Sequence, residues 1–254
     1  MTDTIRATLK YSLDRDIVLN KPGTDPRTVD ILDAWSQQPT LSVDKQGFEL
    51  HEFKSDFKDF DQDILIKQIF YQQATDFIKL HTGAKQVTAL THTIRKRQPA
   101  NLKNQREIFR PAVLLVHSDY TETSGPLKLK FLLPELLSQG RVAFYNVWKP
   151  LYNRVEELPL AMCDATSYGI NDVCSVNITN QDPMHDFYVM QHSPDHKWMY
   201  FPSMDADHAL ILKMYDSDVD KSCRFLMHSA FEHPNTPTDA LKRESIEVRI
   251  IAFF

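Results

Sequence analysis

The sequence predicts a mainly β domain with flanking helices, arranged as a helix-buttressed sandwich or barrel. Three observations point there. One long helical pattern sits in the first third of the chain. Seven or eight short apolar or alternating segments follow it. Clusters of Pro, Asp, Asn or Ser separate those segments. With 254 residues, 42% of them hydrophobic, the chain can bury a large core.

Taken in order, "LNKPGTDPRT" at Leu19–Thr28 is rich in turn formers and reads as an extended surface segment. "LSVDKQGFELHEF" at Leu41–Phe53 suggests a hairpin about Gln46 and Gly47. Asp63–His81 carries the helix: Ile66, Ile69, Phe70, Phe77, Ile78 and Leu80 fall on one stripe, Asp63 suits the N-cap, and Gly83 follows the end. "VTALTHTIRKRQ" then alternates as a strand, with "RKR" at Arg95–Arg97 as its solvated end, and "PAVLLVH" reads as a buried strand. "LKFLLPELLSQG" predicts a second helix ending near Gly140. "RVAFYNVWKPL", "PLAMCDAT", "DFYVMQHS", "KWMYF", "HALILKMYDS", "RFLMHSAF" and "SIEVRIIAFF" complete the strands. The expected organisation is one domain over 1–254, with an N-terminal extension to residue 85 and the β core from residue 86.

Composition excludes several classes. A net charge of −5 gives no electrostatic case for nucleic acid or anionic membrane. No apolar run approaches the roughly 18 residues of a membrane span, and the first residues lack the apolar stretch of a signal peptide. Cys163, Cys174 and Cys223 have no zinc spacing and form no even disulfide framework, which fits a reducing, cytoplasmic setting. Six glycines and no Gly-rich phosphate loop argue against a nucleotide site.

The stretch "VLLVHSDYTETSG" raises the chemical question. Its apolar run stops on His117, with Asp119 two residues on. Composition alone supplies about this many His-x-Asp pairs, so a polar strand end would explain it. Residues i and i+2 of a strand, however, point to one side. An imidazole and a carboxylate so placed can take adjacent positions on one metal, and a second histidine would complete a two-His-one-carboxylate site with open positions. His185, His192, His196, His208, His228 and His233 are the candidates, and His228 in "RFLMHSAFEHP" is the best placed. Beyond it, "RESIEVRIIAFF" opens with Arg243 and Ser245, a guanidinium and a hydroxyl suited to the distal carboxylate of a keto acid.

Five ordered stretches carry a resemblance: "FRPAVLLVHSDYT", "YNVWKPL", "PLAMCDATS", "HKWMYFPSMDADHALILKMYDS" and "HSAFEHPNTP" with "RESIEVR". They span about Phe109 to Phe254, with a looser match at the N-terminus. In them the chain resembles the Fe(II)/2-oxoglutarate-dependent oxygenases of the CmcJ and AsaB-like family, non-haem iron hydroxylases and desaturases. The resemblance implies a double-stranded β-helix, the jelly-roll or cupin-like form of the barrel. It implies His117, Asp119 and His228 as catalytic ligands of Fe(2+). It places 2-oxoglutarate on Arg243 and Ser245, with Arg249 as the alternative anchor and Tyr145, Asn146 and Trp148 as candidates to line the site. It also implies dioxygen and a small organic substrate, of natural-product type, undergoing hydroxylation, desaturation or cyclisation. A cupin-like metal enzyme that does not use 2-oxoglutarate and a non-catalytic ligand-binding barrel are the rival readings. A homodimer is an open expectation that no residue pattern specifies.

Overall fold

The computed structural model describes residues 3–13, 23–96, 110–136, 140–177 and 182–254. Thirteen strands occur among them: β1 (Thr4–Ser12), β2 (Thr24–Asp33), β3 (Phe48–Glu52), β4 (Gln86–Lys96), β5 (His117–Ser118), β6 (Val142–Pro150), β7 (Leu160–Cys163), β8 (Val173–Asn177), β9 (Asp186–Met190), β10 (Trp198–Tyr200), β11 (His208–Asp216), β12 (His228–Ala230) and β13 (Glu244–Phe253). They form an eight-stranded sheet, β1-β2-β10-β7-β12-β5-β9-β8, and a five-stranded sheet, β3-β11-β6-β13-β4. This is a jelly roll.

Period-two alternation assigns each strand two faces. On β6, Phe144 and Trp148 enter the core between the sheets, while Ala143, Tyr145 and Val147 enter an outer core. On β13, Ile251 and Phe253 face inward, and Ile246, Val248, Ile250 and Ala252 face outward. Both strands are therefore largely apolar and buried on two sides, with polar residues such as Asn146, Ser245, Glu247 and Arg249 as exceptions.

The outer core is closed by a helix over residues 63–82, which buries Ile66, Phe70, Ala74, Phe77 and Ile78. Ile66–Phe70 is π-helical, and Ile69 and Leu80 of the expected stripe are 45% and 78% exposed. The extra residue in a π turn rotates the following stripe, which a uniform 3.6-residue period cannot anticipate. Gln62 holds the N-cap position, so Asp63 is the first helical residue and instead accepts from Lys67. Gly83 ends the helix in the left-handed region, at φ 70°.

Three local expectations are corrected. The hairpin at Leu41–Phe53 does not form: Ser42–Gln46 is a tight turn, and β3 pairs with β11. "PAVLLVH" is not a buried strand: only Val116 of Val113–Val116 is buried, and the ladder is the two residues of β5. The second helix is Ser124–Leu132, followed by a 3-10 turn at Pro134–Leu136, and does not run on to Gly140, which is a bend; residues 137–139 lie outside the described residues. Residues 19–22 of the turn-rich segment, Arg97 and Phe109 also lie outside them, and β2 begins at Thr24, inside the expected turn. The first 85 residues contribute β1, β2 and β3 directly to the two sheets.

Candidate metal centre

The eight-stranded sheet brings two distant histidines face to face. β12 pairs antiparallel with β5 in the register His228 to His117. Their rings lie 4.4 Å apart between centroids, tilted by 47°. Each ring is fixed in the same way. Nδ1 of His117 lies 2.7 Å from the Leu115 carbonyl, and Nδ1 of His228 lies 3.2 Å from the Leu226 carbonyl. A carbonyl only accepts, so Nδ1 carries the proton and donates in both rings. Both Nε2 atoms are left with a lone pair.

Asp119 completes the cluster. One of its carboxylate oxygens, Oδ1, is 3.7 Å from Nε2 of His117. One ligand atom from each of His117, Asp119 and His228 lies within 4.8 Å of the others. Burial, and then the neighbouring His228, push the His117 imidazolium down to about 4 from the usual 6.5, so the ring is neutral at pH 7. His228 is lowered too, again by burial first. Burial works to raise Asp119, but the Arg249 guanidinium foremost, with the two histidines and Asn146, holds it well below the usual carboxylate range. Two neutral imidazoles with aligned lone pairs and one ionised carboxylate form the donor set of a hard or borderline dication. The residues therefore fit a divalent iron.

Asp119 is itself held. Its other oxygen, Oδ2, accepts from Asn146 Nδ2 at 2.9 Å and from Arg249 Nε at 3.1 Å. Asn146 on β6 and Arg249 on β13 are direct cross-strand partners. Arg249 is further engaged by Thr93 Oγ1 at 2.9 Å and Glu247 Oε1 at 2.7 Å.

Arg243 stands apart from these charges. It is buried, just ahead of β13, and its Nε donates to Ser245 Oγ at 3.2 Å and its Nη1 to the Leu158 carbonyl at 2.6 Å. Leu158 holds a left-handed backbone, φ 52°, a strained conformation for a branched residue and one that recurs at functional sites. The guanidinium lies 5.1 Å from the Trp148 ring. Among the described residues it forms no ion pair with a carboxylate. Burial, with Arg95 nearby, lowers it to about 9. Glu247 offsets this in part, without an ion-pair contact.

A narrow cavity joins these groups, lined by His117, His228, Trp148, Arg243, Glu247 and Arg95 among others. It meets a larger cleft of about 470 Å³ at Arg95 and Arg243, with Pro111, Ala112, Leu114, Glu157, Glu232, His233 and Thr236 around it. That volume lies within the range of small-molecule sites. Trp148 Nε1 is buried and has no hydrogen-bond partner among the described residues.

Of the residues singled out from sequence, His117, Asp119, His228, Asn146 and Arg249 are brought together, and Arg243, Ser245 and Trp148 lie beside them. Tyr145 is not: it points the opposite way from Asn146, into the outer core. His233 meets the Tyr200 hydroxyl and His208 meets Asp205, both away from the cluster. Arg95, read from sequence as part of a solvated strand end, instead lines the cavity, and Glu247 joins it there. A signal for Glu247 existed in the alternation Arg243, Ser245, Glu247, Arg249, which marks one polar face on an otherwise apolar strand.

Known proteins resemble this chain along most of its length. A family model described as an oxidoreductase/YMDC permease-like domain matches residues 6–253. The hydroxylase/desaturase efuI of Hormonema carpetanum is 31% identical, over 92% of this chain and 85% of its own length. The Fe(II)/2-oxoglutarate-dependent dioxygenase nvfI of Aspergillus novofumigatus is 31% identical over 72% of this chain and 66% of its own. A solved structure of the iron and alpha-ketoglutarate-dependent endoperoxidase NvfI superposes with a TM-score of 0.87 at 25% identity, covering 98% of both chains. Among the described residues no helix is long and apolar enough to cross a membrane. With its length matched almost end to end, this chain belongs to that oxidoreductase family, alongside the hydroxylase/desaturase efuI.

Proposed function

We propose that this chain is an Fe(II)/2-oxoglutarate-dependent oxygenase acting on a small organic molecule of natural-product type. The observation that carries the reading is a convergent His-Asp-His donor set whose two histidines share a cavity with the buried Arg243 guanidinium, which forms no ion pair among the described residues. Charge supports it. Asp119 and Glu247 offset Arg243 and Arg249, and Arg95 also lines the cavity, so the site carries a net positive charge. A dication entering with a dianion leaves that balance unchanged, and the positive lining suits an anionic cosubstrate.

In this reading His117 Nε2, Asp119 Oδ1 and His228 Nε2 would hold the iron. When bound, iron supplies the positions on which the keto acid and dioxygen meet and the oxidising power to cleave a C–H bond. Arg243 and Ser245 would hold the far carboxylate of 2-oxoglutarate, a charge-assisted contact in a water-poor place. Trp148 offers one free indole N–H to whatever fills the cavity. The cleft at Arg95 and Arg243 would admit the substrate, and its walls would set which C–H bond is presented. Hydroxylation balances as substrate, 2-oxoglutarate and dioxygen giving hydroxylated product, succinate and carbon dioxide. Desaturation and cyclisation draw on the same oxidant. The buried, unbridged thiols of Cys163 and Cys223 suit a reducing cytoplasm.

The test is succinate. Protein loaded with Fe(II) and supplied with 2-oxoglutarate and dioxygen should form succinate, and substrate candidates should accelerate it. A metal-loaded protein that oxidises or isomerises substrate without succinate would instead be the cupin-like enzyme.

A further inference from the structure

We infer that Arg249 and Asn146 are positioning residues that clamp Oδ2 of Asp119, so that Oδ1 alone is presented to the metal. The inference rests on the iron reading above and deepens it.

A carboxylate on a short side chain can turn about its last torsion and offer a cation either one oxygen or both. The difference decides whether the chemistry has room. A facial site gives three positions to the protein and three to reactants. A chelating keto acid takes two of those three. If Asp119 bound through both oxygens, the position left for dioxygen would be filled.

Geometry removes that option. Oδ2 accepts two hydrogen bonds, from Nδ2 of Asn146 at 2.9 Å and Nε of Arg249 at 3.1 Å, while Oδ1 lies on the histidine side. The donors come from adjacent strands in direct register. The β4–β13 pairing slips between Arg249 and Ile250, and such irregularities re-aim side chains beside functional sites. The rest of the guanidinium is fixed as well: Nη1 donates to Thr93 Oγ1, and Nη2 lies against Glu247. Each of its nitrogens thus has its own partner, on β4, on β13 and on Asp119. An arginine so occupied is not free for a cosubstrate. A lysine could satisfy only part of the set, since its one nitrogen cannot reproduce the fork.

Two readouts test the clamp without measuring turnover. The first is the affinity of the metal-free protein for Co(II). The second is binding of nitric oxide, a stand-in for dioxygen, to the anaerobic protein carrying Fe(II) and 2-oxoglutarate. Asn146→Ala and Arg249→Gln should each weaken Co(II) by roughly 10- to 100-fold, the usual cost of removing a group that orients a metal ligand. Arg249→Lys should lie between wild type and Arg249→Gln. Nitric oxide should bind the variants more weakly than wild type. Asn146→Ala removes no charge, so it keeps the test valid if Arg249→Gln does not fold. Should either readout stay at its wild-type value in a folded variant, the contacts are packing only and the inference falls. If wild type binds no Co(II), or Asp119→Ala binds it normally, the iron reading fails first and takes the clamp with it.

Discussion

His228 stands directly opposite His117 across the β5–β12 pair, although 111 positions separate them in the chain (228 − 117). One register thus builds two-thirds of the donor set. A slip of one residue would send His228 to the other face of its strand and dissolve the centre.

Metal binding should follow that register. His117→Ala, Asp119→Ala and His228→Ala should each lose iron after anaerobic reconstitution and desalting, measured as iron per protein. His233→Ala and His208→Ala should keep it, because those rings are engaged by Tyr200 and Asp205. Iron loss in His208→Ala with retention in His228→Ala would move the site to β11.

The 2-oxoglutarate requirement should depend on Arg243. Truncating one partner of a buried charge pair costs on the order of 2–5 kcal/mol. At about 1.4 kcal/mol per decade, that is roughly 30- to several-thousand-fold in affinity. Arg243→Ala should therefore raise the 2-oxoglutarate concentration needed for half-saturation by that factor, with iron binding retained. Arg243→Lys should recover part of it, and Ser245→Ala should cost only about 0.5–1.5 kcal/mol. An unchanged requirement in Arg243→Ala would remove Arg243 as the anchor.

How much of this was legible beforehand varies with the physics involved. A sandwich or barrel was readable because β6, β11 and β13 are long, largely apolar runs buried on both faces, while the jelly-roll form came from the family resemblance. His117 and His228 stood out because each ends an apolar run, with Asp119 two residues beyond the first. What failed depended on context. The run before His117 is apolar, yet it mostly lacks a ladder, since hydrophobicity alone does not supply a pairing edge. The π turn at Ile66–Phe70 moved Ile69 and Leu80 to solvent. Arg243 and Arg249 look alike in sequence; only their partners, a carbonyl and a serine against two carboxylates, separate them.

Stability should respond to Lys149. This lysine is buried on the outer face of β6, its ammonium 5.2 Å from the Phe53 ring, and burial pushes it down to about 8 from the usual 10.5. Between those two pH values the unfolded chain holds a proton that the folded chain does not, so stability rises with pH across that window. Below it, the charged form is fully penalised, by about 3 kcal/mol at about 1.36 kcal/mol per pH unit. Lys149→Met should therefore unfold at higher urea than wild type at neutral pH and lose the rise in alkali. A variant less stable than wild type at neutral pH would contradict this.

Gly47 should tolerate no side chain. Its φ is +96°, and a Cβ there would lie 2.5 Å from Cys223 Sγ. Gly47→Ala combines left-handed strain of about 1–2 kcal/mol with overpacking of about 1–3 kcal/mol. A loss of roughly 2–5 kcal/mol should appear in the urea midpoint, with Lys213 losing its backbone bond to the Gly47 carbonyl as the turn shifts. A wild-type midpoint would show that the turn relaxes freely.

The most direct test of the central claim is an anaerobic titration of the protein with Fe(II) in the presence of 2-oxoglutarate, followed by visible absorption. A keto acid chelated to Fe(II) gives a weak charge-transfer band. The account predicts that this band grows to saturation at one iron per chain, is absent from Asp119→Ala, and needs far more 2-oxoglutarate in Arg243→Ala. Saturating Fe(II) and 2-oxoglutarate with no band in the folded wild-type protein would contradict it.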